Sequence, residues 1–125
     1  MIIPHDEKRH RGGEDSADSN DYVLSVADGV GGWALRGVNP GLYSMELSRS
    51  LVEFAELDPT TSIHELIFNA CNHAASQYQG TATAVALKLL EDLKIEGANL
   101  GDSGYALFHL GENDTIEMYF RSPSQ

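Results

Sequence analysis

Hydrophobic positions change their rhythm along this chain, and each change marks an element. Residues 5 to 21 are polar and charged, and read as a loop or an irregular edge. Tyr22-Val23-Leu24-Ser25-Val26-Ala27 follows as a short, nearly continuous apolar run, the pattern of a strand buried on both faces. Residues 34 to 40 are a loop punctuated by Gly37 and Pro40. The period then lengthens to that of a helix. From about Gly41 to Glu56, Leu47, Leu51 and Phe54 recur beside Met45, Val52 and Ala55. A second, cleaner stripe joins Ile63, Leu66, Ile67, Ala70, Cys71, Ala74 and Tyr78, with Ser62 and Glu65 spaced as a capping box at its start. Neither stripe carries a His or carboxylate pair, so both helices read as packing elements.

After Gly80 the pattern returns to strands. Thr81 to Leu90 and Leu93 to Leu100 read as hairpin partners. Tyr105 to Leu110 and Thr115 to Arg121 flank the turn-forming set Gly111-Glu112-Asn113-Asp114. The predicted order is one strand, two helices and a meander of four strands. Helices and strands in separate runs predict an α+β fold, with two helices packed on a mainly antiparallel sheet. A sheet covered on one face leaves its other face bare, so the segment reads as part of a larger domain.

Composition narrows the classes. With 125 residues and 42% hydrophobic positions there is room for one domain with one core. A net charge of −11 excludes a nucleic-acid partner, which needs a basic face. The basic cluster Lys8-Arg9-His10-Arg11 is short, and fits a solvated segment or a contact for a single phosphate. One cysteine forms no internal disulfide, and Cys71 on a helical apolar face reads as an inert core thiol. No apolar stretch is long enough to span a bilayer, and the start Met1-Ile2-Ile3-Pro4-His5 has no signal-peptide core. The chain reads as soluble and intracellular.

Two acidic, glycine-rich turns hold the candidate chemistry. Asp28-Gly29-Val30-Gly31-Gly32-Trp33 directly follows the first apolar run, and Asn99-Leu100-Gly101-Asp102-Ser103-Gly104 follows a later one. A carboxylate ending a strand and glycines that let backbone oxygens approach can hold a hard cation. For Asp28 the alternatives are a metal ligand, a hydrogen-bonded turn and a buried salt bridge. Adjacent Glu14-Asp15, after Gly12-Gly13, can direct one carboxylate to a cation and the other to a water, or form an ordinary polar loop. Gly29 to Ala34 matches a loose dinucleotide pattern, but Asp28 would repel a pyrophosphate and no helix begins at once. His5 and His10 are loop histidines, and Ser103 has no base partner in the sequence.

These segments together resemble the metal-dependent serine/threonine protein phosphatases of type 2C, the PPM family. They are most similar to the branch of the pyruvate dehydrogenase phosphatases and the yeast-type mitochondrial phosphatase seven. The resemblance lies in Pro4-His5, Gly12-Gly13-Glu14-Asp15, Val26 to Trp33, Gly80-Thr81-Ala82-Thr83-Ala84, Ala98 to Gly104, and Arg121-Ser122. It implies the N-terminal part, residues 1–125, of a single phosphatase domain with a β-sandwich flanked by helices, truncated at its C-terminus. It implies hydrolysis of protein phosphoserine and phosphothreonine by a two-metal-activated water, with Mg²⁺ or Mn²⁺ and a weaker third ion. Catalytic roles fall on Asp28, Glu14 and Asp15, and metal contacts on Glu14, Asp28, Gly29 and Asp102. Val30 stands where many relatives carry a histidine, and Arg9 and Arg11 lie near the place of a phosphate-contacting arginine. The partner implied is a phosphoprotein, and the compartment mitochondrial or cytoplasmic. A catalytically inactive module that binds a partner is the competing reading.

Overall fold

A computed structural model describes residues 2–124. It contains six strands and two α-helices. Strands β1 (Asp15–Ser19), β2 (Val23–Gly29), β3 (Ala82–Leu89) and β4 (Ile95–Leu100) form an antiparallel sheet in the order β1-β2-β3-β4. Helices α1 (Pro40–Leu57) and α2 (Ile63–Gln77) pack on one face of it. Strands β5 (Ala106–Leu110) and β6 (Ile116–Arg121) pair with each other as a separate two-stranded sheet.

The α+β reading holds, and three details of the sequence expectation sharpen or change. Residues 5 to 21, read as a loop or an irregular edge, take the second form: Asp6–Arg11 is a 3-10 turn and Asp15–Ser19 is an edge strand. That strand is Asp-Ser-Ala-Asp-Ser, so no apolar alternation announced it. It forms because β2 offers a free edge and Asn20 closes the connection, its Oδ1 accepting from Tyr22 N–H (3.0 Å) and Val23 N–H (2.8 Å). A polar strand also protects the outer edge of the sheet. Second, β2 is covered on one face, not both: Val23, Ser25 and Ala27 are buried while Leu24, Val26 and Asp28 are exposed. Third, the expected meander divides, since β3 pairs with both β2 and β4 while β5 leaves the sheet. Residues 34 to 40, read as a loop, begin inside a second 3-10 turn, Gly31–Arg36.

Alanines set the distance between helices and sheet. Ala27 faces Ala84, and Ala86 faces Ala98, across the strand pairs. All four are buried, which lets Leu47 and Leu51 of α1 and Leu66 and Ala70 of α2 reach the sheet. The helix ends follow from sequence. Asn39 Oδ1 accepts from Gly41 N–H (3.0 Å) with Pro40 in the first turn, and Ser62 accepts from Glu65 N–H (3.3 Å). Tyr22 ties α1 to the sheet, its hydroxyl donating to the Ala55 carbonyl (2.6 Å). Buried polar groups complete the layer. Glu46 of α1 accepts from Arg49 (2.6 Å) and meets His73 Nε2 of α2 (3.0 Å), a carboxylate–histidine pair that the stripes did not show. Lys88, 5% exposed, donates to the carbonyls of Pro59 and Thr61 (2.6 Å each) and pins the α1–α2 connection.

The other face of the sheet is open. Leu24, Val26, Leu89 and Ile95 are exposed there, and every residue of β6 is exposed. Tyr105 crosses this face at Gly97, where a Cβ would collide with its hydroxyl. Among the described residues no helix is long and apolar enough to cross a membrane.

Candidate functional site

The expected site residues gather at one end of the four-stranded sheet. The β1–β2 register places Asp15 directly opposite Asp28, on the face away from the helices. Thr83 lies opposite Asp28 on the other side, on β3. The Asp102 turn is clamped to the same place, because the Thr83 and Ser103 hydroxyls are 2.6 Å apart. Gly101 makes the clamp possible: it sits at φ +92°, and a Cβ there would stand 2.6 Å from Thr83 Cγ2. The β1–β2 hairpin and the turn after β4, tied down by Thr83 of β3, thus deliver Asp15, Asp28 and Asp102 to one neighbourhood.

Like charges held together leave an electrostatic trace. The Asp28 carboxyl is pushed above its usual range, first by partial burial, then by a side-chain hydrogen bond with Asp15 and by the charges of Asp15 and Asp102. Lys8 pulls in the opposite direction. Lys8 of the first 3-10 turn acts on Asp28 through its charge and forms its ion pair with Glu14.

Glu14 takes a different direction from Asp15. It is 4% exposed, and its carboxylate lies under Gly31, where a Cβ would be 2.9 Å from Oε2. The Lys8 ammonium donates to Glu14 Oε2, so one lysine acts on both Glu14 and Asp28. Gly29 is packed between elements, its N–H donating to the Glu14 carbonyl (3.0 Å) while Ser44 Oγ donates to the same oxygen (2.6 Å). Among the described residues no group of three or more His, Cys, Asp or Glu side chains gathers as a cation cage.

The remaining candidates separate from this cluster. Arg9 pairs with Asp6 (3.0 Å), and His5 accepts weakly from Glu7 N–H (3.4 Å). The Arg11 side chain lies outside what the structure describes. Cys71 is half-buried on α2, and burial pushes its thiol up, away from reactivity. Sequence reasoning missed Lys8 as a charge on the site, the Thr83–Ser103 clamp, and the Trp33–Arg36 pair described below. Each left a partial trace: Lys8 lies in the basic cluster, Thr83, Ser103 and Trp33 lie in the glycine-flanked segments, and none of these signals says which residues meet.

No family profile matches the chain. Individual proteins do. The probable protein phosphatase 2C 80 of Arabidopsis thaliana is 39% identical over 126 residues, covering 98% of this chain and 29% of its own length. The protein phosphatase PTC7 homolog fig of Drosophila mojavensis is 34% identical, covering 82% of this chain and 36% of its own length. In structure, the photosystem II phosphatase PBCP superposes with a TM-score of 0.78 at 32% identity, over 100% of this chain and 48% of that one. The chain belongs to the protein phosphatase 2C family.

The fold of this 2C phosphatase segment also matches the PPM Ser-Thr phosphatase MsPP of Mycobacterium smegmatis, with a TM-score of 0.55 at 19% identity. The segment spans 29% and 26% of the first two plant relatives, so it represents a minor part of their length. The phosphatase 2C family is metal-dependent. The donors present fit a hard cation in kind: the carboxylates of Asp15 and Asp28, paired in register, and a backbone carbonyl at a strand end, with Asp102 close enough for its charge to act on Asp28.

Proposed function

We propose that residues 1–125 are the N-terminal part of one protein serine/threonine phosphatase domain. The reading is carried by one observation, the convergence of Asp15, Asp28 and Asp102 on a single end of the sheet. Family membership, through relatives named as protein phosphatases, supports it.

In this proposal Asp28, the Gly29 carbonyl and Glu14 hold Mg²⁺ or Mn²⁺, and Asp102 holds a weaker third ion. Asp15, beside Asp28 in register, orients a water by accepting its hydrogen bond. Bound ions would supply an activated water for in-line attack on phosphorus and neutralise charge on the phosphoryl oxygens. The water oxygen bonds to phosphorus as the bond to the serine or threonine oxygen breaks, and that oxygen takes up a proton. Val30 has no proton to give, so the leaving group draws it from solvent. Lys8 compensates Glu14 and Asp28, a role that a bound cation would take over. The substrate is a phosphoserine or phosphothreonine protein.

The competing binding-module reading draws support from the exposed β5–β6 hairpin and the absence of a carboxylate cage among the described residues. Two measurements on the purified chain separate the readings. Mn²⁺ binding by calorimetry should be lost in Asp28→Ala, and equal binding by that variant would overturn the metal assignment. Phosphate release from a phosphothreonine peptide that depends on Mn²⁺ and on Asp28 would establish turnover. Asp28-dependent Mn²⁺ binding with no release is the result expected of the N-terminal part of a domain by itself, whereas no Asp28-dependent Mn²⁺ binding would favour the binding module.

A further inference from the structure

The segment leaving the carboxylate end of β2 is only partly covered, with Gly31, Trp33 and Ala34 half-buried and the rest exposed. Gly31–Arg36 is a 3-10 turn without a buried residue, although it carries Trp33, Ala34 and Leu35. Leu35 is 93% exposed and Val30 42%. Apolar groups this exposed ordinarily belong to mobile tips, yet this turn is anchored. Val30 N–H donates to the Thr81 carbonyl (3.0 Å), and Trp33 Nε1 donates to Thr81 Oγ1 (2.9 Å). Gly37 closes the turn at φ 74°, its N–H on the Ala34 carbonyl (3.1 Å). Arg36 lies 5.6 Å from the Trp33 ring centre, a cation held over an aromatic face. Val30, Gly32, Trp33 and Arg36 line a shallow depression of about 300 Å³.

This ledge is continuous with the acidic cluster. Val30 is two residues beyond Asp28, and Gly31 rests on the Glu14 carboxylate. Its charge is unusual for its surroundings. A chain of net charge −11 repels a phosphorylated, acidic polypeptide over most of its surface, and Arg36 places a positive charge at this edge. A second copy of the chain is a poor occupant: a stable protein interface uses about 20–30 residues a side, and the ledge offers a handful. An extended peptide needs no more than that.

We propose that Val30, Trp33 and Arg36 receive the polypeptide flanking the phosphoresidue, favouring a segment with a large apolar side chain next to a carboxylate. The apolar side chain enters the depression against Val30 and Trp33, and the carboxylate meets the Arg36 guanidinium. The proposal rests on the phosphatase reading above and goes beyond it in naming what the substrate must carry.

Trp33 is the only tryptophan in the sequence, so its emission reports directly on the ledge. The test titrates the chain, with Mn²⁺ present, with phosphothreonine peptides that carry a flanking Leu-Glu, Ala-Glu or Leu-Gln, and with an unphosphorylated Leu-Glu peptide. The Leu-Glu phosphopeptide should bind about tenfold tighter than either substituted one and shift Trp33 emission. Val30→Ser should abolish the preference for leucine and Arg36→Gln the preference for glutamate. Both positions are on the surface, and circular dichroism verifies that the variants fold. Phosphopeptides that all bind alike would overturn the ledge and leave the phosphatase reading standing. Phosphorylated and unphosphorylated peptides that bind alike, or fail to bind, would overturn both.

Discussion

Gly29 is the position in the acidic turn least able to accept a side chain, and its replacement measures how the site is built. A Cβ there would stand 2.5 Å from the Glu14 carbonyl oxygen, 2.6 Å from Ser44 Oγ and 3.0 Å from the Pro40 carbonyl oxygen. Gly29 is absent from the positive-φ glycines, so backbone strain contributes nothing and the cost is steric. A methyl group must either displace Ser44 from its bond to Glu14 or move β1 away from α1. Overpacking of this kind costs about 1–3 kcal/mol, and a lost hydrogen bond adds about 1 kcal/mol. Gly29→Ala should therefore destabilise the chain by about 2–4 kcal/mol. With a urea slope of about 2 kcal/mol per molar, the unfolding midpoint falls by about 1–2 M. The assay is urea unfolding followed by circular dichroism and by Trp33 emission. Ser44→Ala in the Gly29→Ala background should recover part of the loss, because removing the hydroxyl opens space for the methyl group. A midpoint shift below about 0.3 M, or strict additivity of the two substitutions, would show that the contact at Gly29 is not what demands glycine.

Other expectations follow from the same structure. Because the Asp28 carboxyl sits above its usual range, ionised Asp28 costs stability at neutral pH, a cost that disappears as the pH falls below the unfolded value of about 4. Asp28→Asn should therefore melt higher than wild type in a chelator at pH 7, the gap should close toward pH 4, and Mn²⁺ should no longer stabilise it; an unchanged or lower melting point would refute the crowding of carboxylates. Glu46 shows the opposite sign, its carboxyl held low by the Arg49 hydrogen bond ahead of the opposing effect of burial. Glu46→Gln should cost about 1–2 kcal/mol at pH 7, a difference present above the ordinary glutamate value of about 4.3 and lost as the pH falls from there through the lower value of the folded state, visible in thermal melts across that range. Lys88→Met removes the donor to Pro59 and Thr61, and should cost about 1–3 kcal/mol while amide exchange accelerates selectively in residues 58–62. Exchange rates unchanged there would show that the connection is held by something else.

What the amino-acid order determined by itself was local. Helical stripes located α1 and α2 and, with Asn39-Pro40 and Ser62, their first turns. The Gly111–Asp114 set located the β5–β6 turn, and glycine-flanked aspartates marked both halves of the acidic site. These signals are legible because period, capping and turn chemistry act over a few residues. The family was legible for a related reason, since the matching segments run in register along the chain. Tertiary structure decided everything that depends on which surfaces meet. Strand β1 has no apolar alternation, and exists because β2 and Asn20 give it a partner. Strand β2 looked buried on both faces because hydrophobicity does not record that the second face stands open. The pairing of Asp15 with Asp28, the Thr83–Ser103 clamp that brings in Asp102, and the reach of Lys8 to both Glu14 and Asp28 join residues far apart in sequence. Charge acts through distance in space, and only folding sets that distance.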